Sequence, residues 1–349
     1  MENEVLFEIK NNLGIIVLNR PFALNALNTN MCNLITTKLL EFEQNEKIGA
    51  VLIMGAGEKA FCAGGDIIMI SESGKAKDNR AEAFWRAEYA LNEFIKTYSK
   101  PYIALIDGIV MGGGVGLSLH GKYRIAGEST LFAMPETGIG YFPDVGGTYF
   151  LPRLSRAIGN WLGLTGARLN GVMCYNLGLA NYYVTPNNRQ NLINALIENE
   201  LDGGFAIIEE ILNQYSSEPP KFENLPNEIS VFDNDSLDEI FTNIFTSDND
   251  WQKAQAKILK TKSPFAMAVT FEALKKGMSL NFRAAMSQEL VLSLNFLTTP
   301  DIYEGIRAQL IDKDKAPKWQ NTDILQIEKA NIDKMFIGEF APLEFIKRN

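Results

Sequence analysis

The sequence predicts an α/β fold that ends in a helical C-terminal region. Over the first 200 residues, short β-rich runs alternate with helical patterns. A Ser- and Pro-rich break follows, and beyond it only helical patterns remain.

The elements follow in order. Val5–Ile9 and Gly14–Leu18 are strand-like, with Asn11-Asn12 between them as a hairpin signal. Asn28–Phe42 reads as a helix, and the wholly apolar Ala50–Met54 as a strand buried on both faces. A helix over Asp78–Thr97 and strands at Tyr102–Ile106, Tyr123–Ile125 and Leu131–Ala133 complete a ββα-like alternation. The break carries Ser216-Ser217, Pro219-Pro220 and Pro226. The expected organisation is therefore a core over 1–212, a linker or surface excursion over 213–230, and a helical region over 231–349. Within the last, Ser236–Thr246, Asp250–Thr261, Pro264–Lys276 and Asn281–Leu297 are helical.

Composition narrows the function. A chain of 349 residues buries about three quarters of its surface, so its core needs no disulfide or metal staple. With 46% hydrophobic and 21% charged residues, disorder, collagen and coiled coil are excluded. Forty-two acids against 33 bases argue against wrapping nucleic acid or lying on an anionic membrane, but leave a small anionic ligand open. Cys32, Cys62 and Cys174 are odd in number and widely spaced, which reads as free thiols in a reducing compartment. Glu2, Glu4 and Glu8 oppose a signal or transit peptide. The most apolar stretch, Pro101–Leu119, is broken by Asp107 and five glycines, too often for a membrane span. A soluble, cytoplasmic protein is expected. With one histidine, His120, a His-rich metal site is excluded within one chain and acid–base work falls to carboxylates.

Two glycine-rich turns each follow an apolar strand: Phe61-Cys62-Ala63-Gly64-Gly65-Asp66 and Met111-Gly112-Gly113-Gly114-Val115-Gly116. Each reads either as a tight packing turn or as half of an oxyanion hole, where two N–H groups meet one developing charge. Gly116 to Lys122 has phosphate-loop spacing, but Tyr123 stands where Mg²⁺ binding needs Ser or Thr, so a nucleotide site is rejected. Glu88 shares a helical face with Phe84, Leu91 and Ile95, so it is either paired or functional. Alone, Glu136 reads as a solvated loop acid and Asp144 as a helix N-cap. Their setting among aromatic, Pro and Gly residues without basic neighbours marks both as candidates. His120 and Ser118, two apart on one helix, do not face each other, so His120 reads as structural.

Leu18-Asn19-Arg20-Pro21, Asn25-Ala26-Leu27, Phe61 to Ile67, Met111 to His120 and Phe132 to Leu154 together resemble the crotonase, or enoyl-CoA hydratase/isomerase, superfamily. Glu304-Gly305-Ile306-Arg307 through Asp312-Lys313-Asp314 to Trp319 resembles its acyl-CoA hydrolase branch. The resemblance implies a crotonase-like spiral of repeated ββα units closed by C-terminal helices. It implies an oxyanion hole at Gly65 and Gly113, a catalytic Glu136, and Asp144 and Glu88 near the acyl group. Glu136 is left as nucleophile or general base. The implied activity is hydrolysis of 3-hydroxyisobutyryl-CoA, in valine catabolism, with CoA as part of the substrate and no metal or other cofactor; a homo-oligomer stays open. Hydratases of the superfamily carry a second glutamate where this chain has Gly116, which disfavours the alternative of an enoyl-CoA hydratase or isomerase. A non-catalytic scaffold is the other alternative. Two departures, Asp107 before the glycine-rich turn and Leu290-Val291 after Glu289, are expected to leave the catalytic set untouched.

Overall fold

The computed structural model describes residues 3–222 and 224–348; Met1, Glu2, Glu223 and Asn349 lie outside the described residues. The chain opens with an antiparallel hairpin, β1 (Val5–Lys10) and β2 (Leu13–Leu18), turned at Asn11 with a φ of 51°. The helix α1 (Thr29–Gln44) is capped by the Asn28 side chain, which accepts from Met31 N–H and satisfies one orphan donor of the first turn.

From there the chain winds as a spiral. Each turn gives one strand to a long sheet and the next to a short one. The first turn holds β3 (Ala50–Gly55), β4 (Ala60–Cys62), α2 (Ile67–Ala76) and α3 (Arg80–Lys96). The second holds β5 (Tyr102–Leu105), β6 (Ile109–Met111) and the short α4 (Gly113–Ser118). In the third, β7 (Tyr123–Ala126) and β8 (Leu131–Ala133) lead to a 3-10 turn at Glu136–Ile139 and then to α5 (Gly147–Leu154) and α6 (Arg156–Thr165). The two-residue β9 (Leu169–Asn170), α7 (Gly171–Asn176), β10 (Tyr182–Tyr183), α8 (Pro186–Glu198) and α9 (Phe205–Tyr215) finish this part. The long sheet runs β1-β2-β3-β5-β7-β10 and the short one β4-β6-β8-β9. Beyond the first hairpin and β9 all pairings are parallel, which explains why Ala50–Ile53 and Tyr102–Leu105 are apolar and buried.

The helix α9 runs to Tyr215, so irregular chain begins at 216 rather than at 213. Phe232 then returns to the interior. The C-terminal helices are α10 (Leu237–Thr246), α11 (Asp250–Leu259), α12 (Pro264–Gly277), α13 (Phe282–Phe296), α14 (Pro300–Ile306) and α15 (Lys329–Lys334). One hydrophobic cluster reaches from Val5 in the hairpin through Phe296 of α13 to Leu343. The spiral and the late helices therefore share a core, and α3 and α13 pack together inside it.

Candidate active site

The elements that position the site all end at one cavity of about 880 Å³. It is lined by Gly64 and Gly65 after β4, Glu88 on α3, Gly112 and Gly113 after β6, and Glu136 and Asp144 after β8. Parallel strands ending side by side bring the two glycine-rich turns together. The first turn is locked: Leu27 N–H donates to Gly64 O at 2.8 Å, and Asp66 N–H to Leu27 O at 2.8 Å. Among the described residues, no backbone or side-chain acceptor takes the N–H of Gly65 or Gly113.

Neighbouring side chains crowd these glycines. A Cβ on Gly113 would stand 2.4 Å from Glu88 Oε1, and one on Gly65 would stand 2.7 Å from the Phe84 ring. Gly112 adopts a φ of 46°, with Glu136 Oε1 3.3 Å from where its Cβ would be. Both glutamates thus flank the turn whose amides are free.

All three candidate acids are buried, and among the described residues no salt bridge joins any of them to a base. Glu88 Oε1 and Glu136 Oε2 have no hydrogen-bond partner among the described residues. Glu88 is therefore the unpaired case of the two the sequence allowed. Glu136 is not a solvated loop acid: it opens the 3-10 turn at 6% exposure. Asp144 is not an N-cap either. Gly146 occupies that position for α5 with no side-chain cap bond, while Asp144 Oδ2 accepts from the Tyr89 hydroxyl at 2.7 Å and the Tyr141 hydroxyl at 3.4 Å.

Burial, reinforced by the Asp144 charge, holds the Glu136 carboxyl well above the ordinary glutamate range; Lys262 on the cavity wall partly opposes this. Burial and then Asp144, Glu136 and Glu289 do the same to Glu88. Asp144 is pushed up to about 6 by burial, against the pull of its tyrosine donors. Such an arrangement can take up and release protons near neutral pH beside two free amide donors.

His120 is structural, as expected: its Nε2 meets Val145 O at 2.7 Å and burial lowers its pKa to about 4. The three cysteines are free and buried. Lys122 points to Glu209 at 2.9 Å, and α4 fills the segment with phosphate-loop spacing. Among the described residues no group of three or more His, Cys, Asp or Glu side chains is placed to hold a metal, and no helix is long and apolar enough to cross a membrane.

Sequence reasoning missed Tyr89, Tyr141 and Ser293 around Asp144, and Lys262 and Arg168 on the cavity wall. Of these only Tyr89 had a signal, as the neighbour of Glu88. The Leu290-Val291 departure directly follows a residue with a structural role. Glu289 accepts from Gly146 N–H at 2.7 Å and from Thr148 N–H at 3.0 Å, clamping the turn after Asp144. Asp107, by contrast, pairs with Arg189 at 3.0 Å and lines a separate cavity with Glu58 and Glu128.

A model of the family described as enoyl-CoA hydratase/isomerase matches residues 13–336. The chain belongs to this family. Curated relatives named "3-hydroxyisobutyryl-CoA hydrolase, mitochondrial" are similar over nearly all of it. The one from Danio rerio is 42% identical, covering 96% of this chain and 89% of its own. The one from Homo sapiens is 41% identical, covering 95% and 88%. Their naming gives no support to a cytoplasmic location. Among solved structures, a carnitinyl-CoA dehydratase from Mycobacterium thermoresistibile has a TM-score of 0.91 at 35% identity, covering 99% of both chains. An enoyl-CoA hydratase from Rhodobacter sphaeroides 2.4.1 has a TM-score of 0.85 at 34% identity, covering 96% and 97%. The spiral with its helical C-terminal region is thus the fold of these enoyl-CoA hydratase/isomerase family members.

Proposed function

We propose that this family member hydrolyses the thioester of 3-hydroxyisobutyryl-CoA, giving 3-hydroxyisobutyrate and free CoA, a step of valine breakdown. The observation that carries the reading is the convergence of two unclaimed amides, Gly65 and Gly113, with the unpaired Glu136 and with Asp144 in one cavity. The thioester oxygen accepts from both amides, which stabilise the charge that develops as the carbonyl is attacked. Glu136, through the unpartnered Oε2, attacks the carbonyl or takes a proton from the attacking water. Asp144 accepts a hydrogen bond from the substrate hydroxyl, and Glu88 supports the polar end of the pocket. Arg168, Lys262 and Lys315 on the cavity wall supply positive charge for the CoA phosphates.

The carnitinyl-CoA dehydratase and enoyl-CoA hydratase among the structural neighbours raise the second reading, addition or loss of water at a double bond. Gly116 weighs against it. A Cβ there would lie 2.7 Å from Asn92 Nδ2 and 3.0 Å from Val145 Cβ, so the position has no room for the second glutamate that the resemblance implies for hydratases. The test offers 3-hydroxyisobutyryl-CoA and crotonyl-CoA to the same preparation. CoA release from the first, read with a thiol reagent and corrected for the protein's own cysteines, with negligible hydration of the second supports the reading. Hydration without CoA release overturns it.

A further inference from the structure

Asp144 is the end of a chain of buried hydroxyls. Tyr89 Oη lies 2.7 Å from Asp144 Oδ2 and 2.7 Å from Ser293 Oγ. Tyr141 Oη lies 2.5 Å from Ser293 Oγ but 3.4 Å from Asp144 Oδ2. Ser293 Oγ is also 2.7 Å from the backbone carbonyl oxygen of Glu289. All four side chains are buried.

Each hydroxyl has one hydrogen to give. With Asp144 ionised, a hydrogen in each of the three contacts among Asp144 and the hydroxyls requires the order Tyr141 to Ser293 to Tyr89 to Asp144, and Ser293 then gives up its bond to the Glu289 carbonyl. With Asp144 protonated, the order reverses: Asp144 donates to Tyr89, Tyr89 to Ser293, and Ser293 to the Glu289 carbonyl. Tyr141 keeps donating to Ser293 throughout. Neither state strands a buried hydroxyl, and the change needs only rotation of O–H bonds.

We propose that Tyr141, Ser293 and Tyr89 form a reversible hydroxyl relay that keeps Asp144 hydrogen-bonded as it gains and loses a proton during turnover. Ser293 is the pivot, and Tyr89 and Ser293 are positioning residues. No proton passes along the relay; the one Asp144 gains comes from water or substrate in the cavity and returns there. The role in turnover rests on the hydrolase reading, whereas the relay itself does not. Among the described residues, the charged or titratable groups facing Asp144 are Glu88 and Tyr89 on α3, Glu136 on the 3-10 turn, Tyr141 on its own loop and Glu289 on α13. None is a cation, so the hydroxyls are the groups that respond to its charge.

The test is a carboxyl-carbon NMR titration of the intact, aspartate-labelled protein without substrate, with the Asp144 signal assigned by Asp144→Asn. Tyr89→Phe removes the donor to the ionised form, and the midpoint rises by about one pH unit or more. Ser293→Ala leaves the Tyr89 hydroxyl without an acceptor when Asp144 is protonated, and the midpoint falls by about one unit. Ser293→Thr keeps the hydroxyl and titrates as the wild type; Ser293→Cys, a weaker partner, gives a smaller fall and serves if the alanine variant does not fold. Shifts of the same sign in Tyr89→Phe and the Ser293 variants, or no shift, overturn the relay. In turnover, Ser293→Ala lowers kcat about tenfold with KM unchanged and moves the acid limb of the rate profile down with the midpoint. A wild type that releases no CoA from 3-hydroxyisobutyryl-CoA would sink the hydrolase reading and leave the titration result standing.

Discussion

Glu289 and Thr148 are joined twice, the Glu289 carboxyl accepting from the Thr148 hydroxyl at 2.5 Å and from its backbone N–H at 3.0 Å. With the Gly146 N–H at 2.7 Å, this fastens the turn after Asp144 to α13. Val145 inside the turn has a φ of 51°, which a β-branched side chain adopts only when its surroundings impose it. Glu289→Ala strands three buried donors at about 1–3 kcal/mol each. The variant is expected to lose several kcal/mol in urea unfolding and to lose turnover with it; stability within about 1 kcal/mol of the wild type would show that the clamp does not hold the turn.

The same residue sets a pH dependence. Burial raises Glu289 from 4.5 to about 8, so the folded state binds its proton more tightly than the unfolded chain. That stability is fully present below pH 4.5 and is lost as pH rises toward about 8. His120 has the opposite sign: lowered from 6.5 to about 4, it contributes stability above pH 6.5 that is lost as pH falls through about 4. Melting temperature should therefore fall from the mildly acidic range toward pH 8, with a smaller slope in Glu289→Gln. An identical slope in that variant would assign the effect to other groups.

Gly113→Ala tests the amide pair. Its methyl group would press on Glu88 Oε1 at 2.4 Å and Leu27 Cδ1 at 3.1 Å, displacing the N–H from the carbonyl oxygen. Removal of one oxyanion donor costs about 10²–10³ in kcat. Steady-state kinetics on the variant should show that loss mainly in kcat, and an unchanged kcat would remove Gly113 from the hole.

Single turnover in ¹⁸O-water separates the two roles of Glu136. A nucleophile forms a mixed anhydride, and hydrolysis at its glutamyl carbon leaves label in Glu136; a general base never does. The unpartnered Oε2 is the atom free to attack, so the expected result is label in the peptide carrying Glu136. Unlabelled peptide with labelled product acid would contradict an anhydride opened at the glutamyl carbon.

Much of the fold was legible because periodicity carried it: the first hairpin, α1, β3, α3 and the helices from α10 to α13 all stand within a few residues of their expected bounds. The helices α5 and α6 were not read, because Gly147, Gly159, Gly163 and Pro152 lower helix propensity; Gly159 and Gly163 are there for close packing against Leu151 and Leu274. Glycine motifs and isolated acids marked Gly65, Gly113, Glu88, Glu136 and Asp144, which the structure brings to one cavity. Ser293 and Glu289 left no local signal, because their partners lie about 140 to 200 residues away and only tertiary packing brings them together.

The most direct test of the account is CoA release from 3-hydroxyisobutyryl-CoA by the wild type and by Glu136→Gln. The variant keeps the size of a buried side chain and removes its ability to ionise. Rapid release by the wild type and at least a hundredfold loss in a folded variant is the expected result, on the scale of about 10² or more for a positioned acid–base group. Equal release by both proteins would contradict a thioester hydrolase built on Glu136.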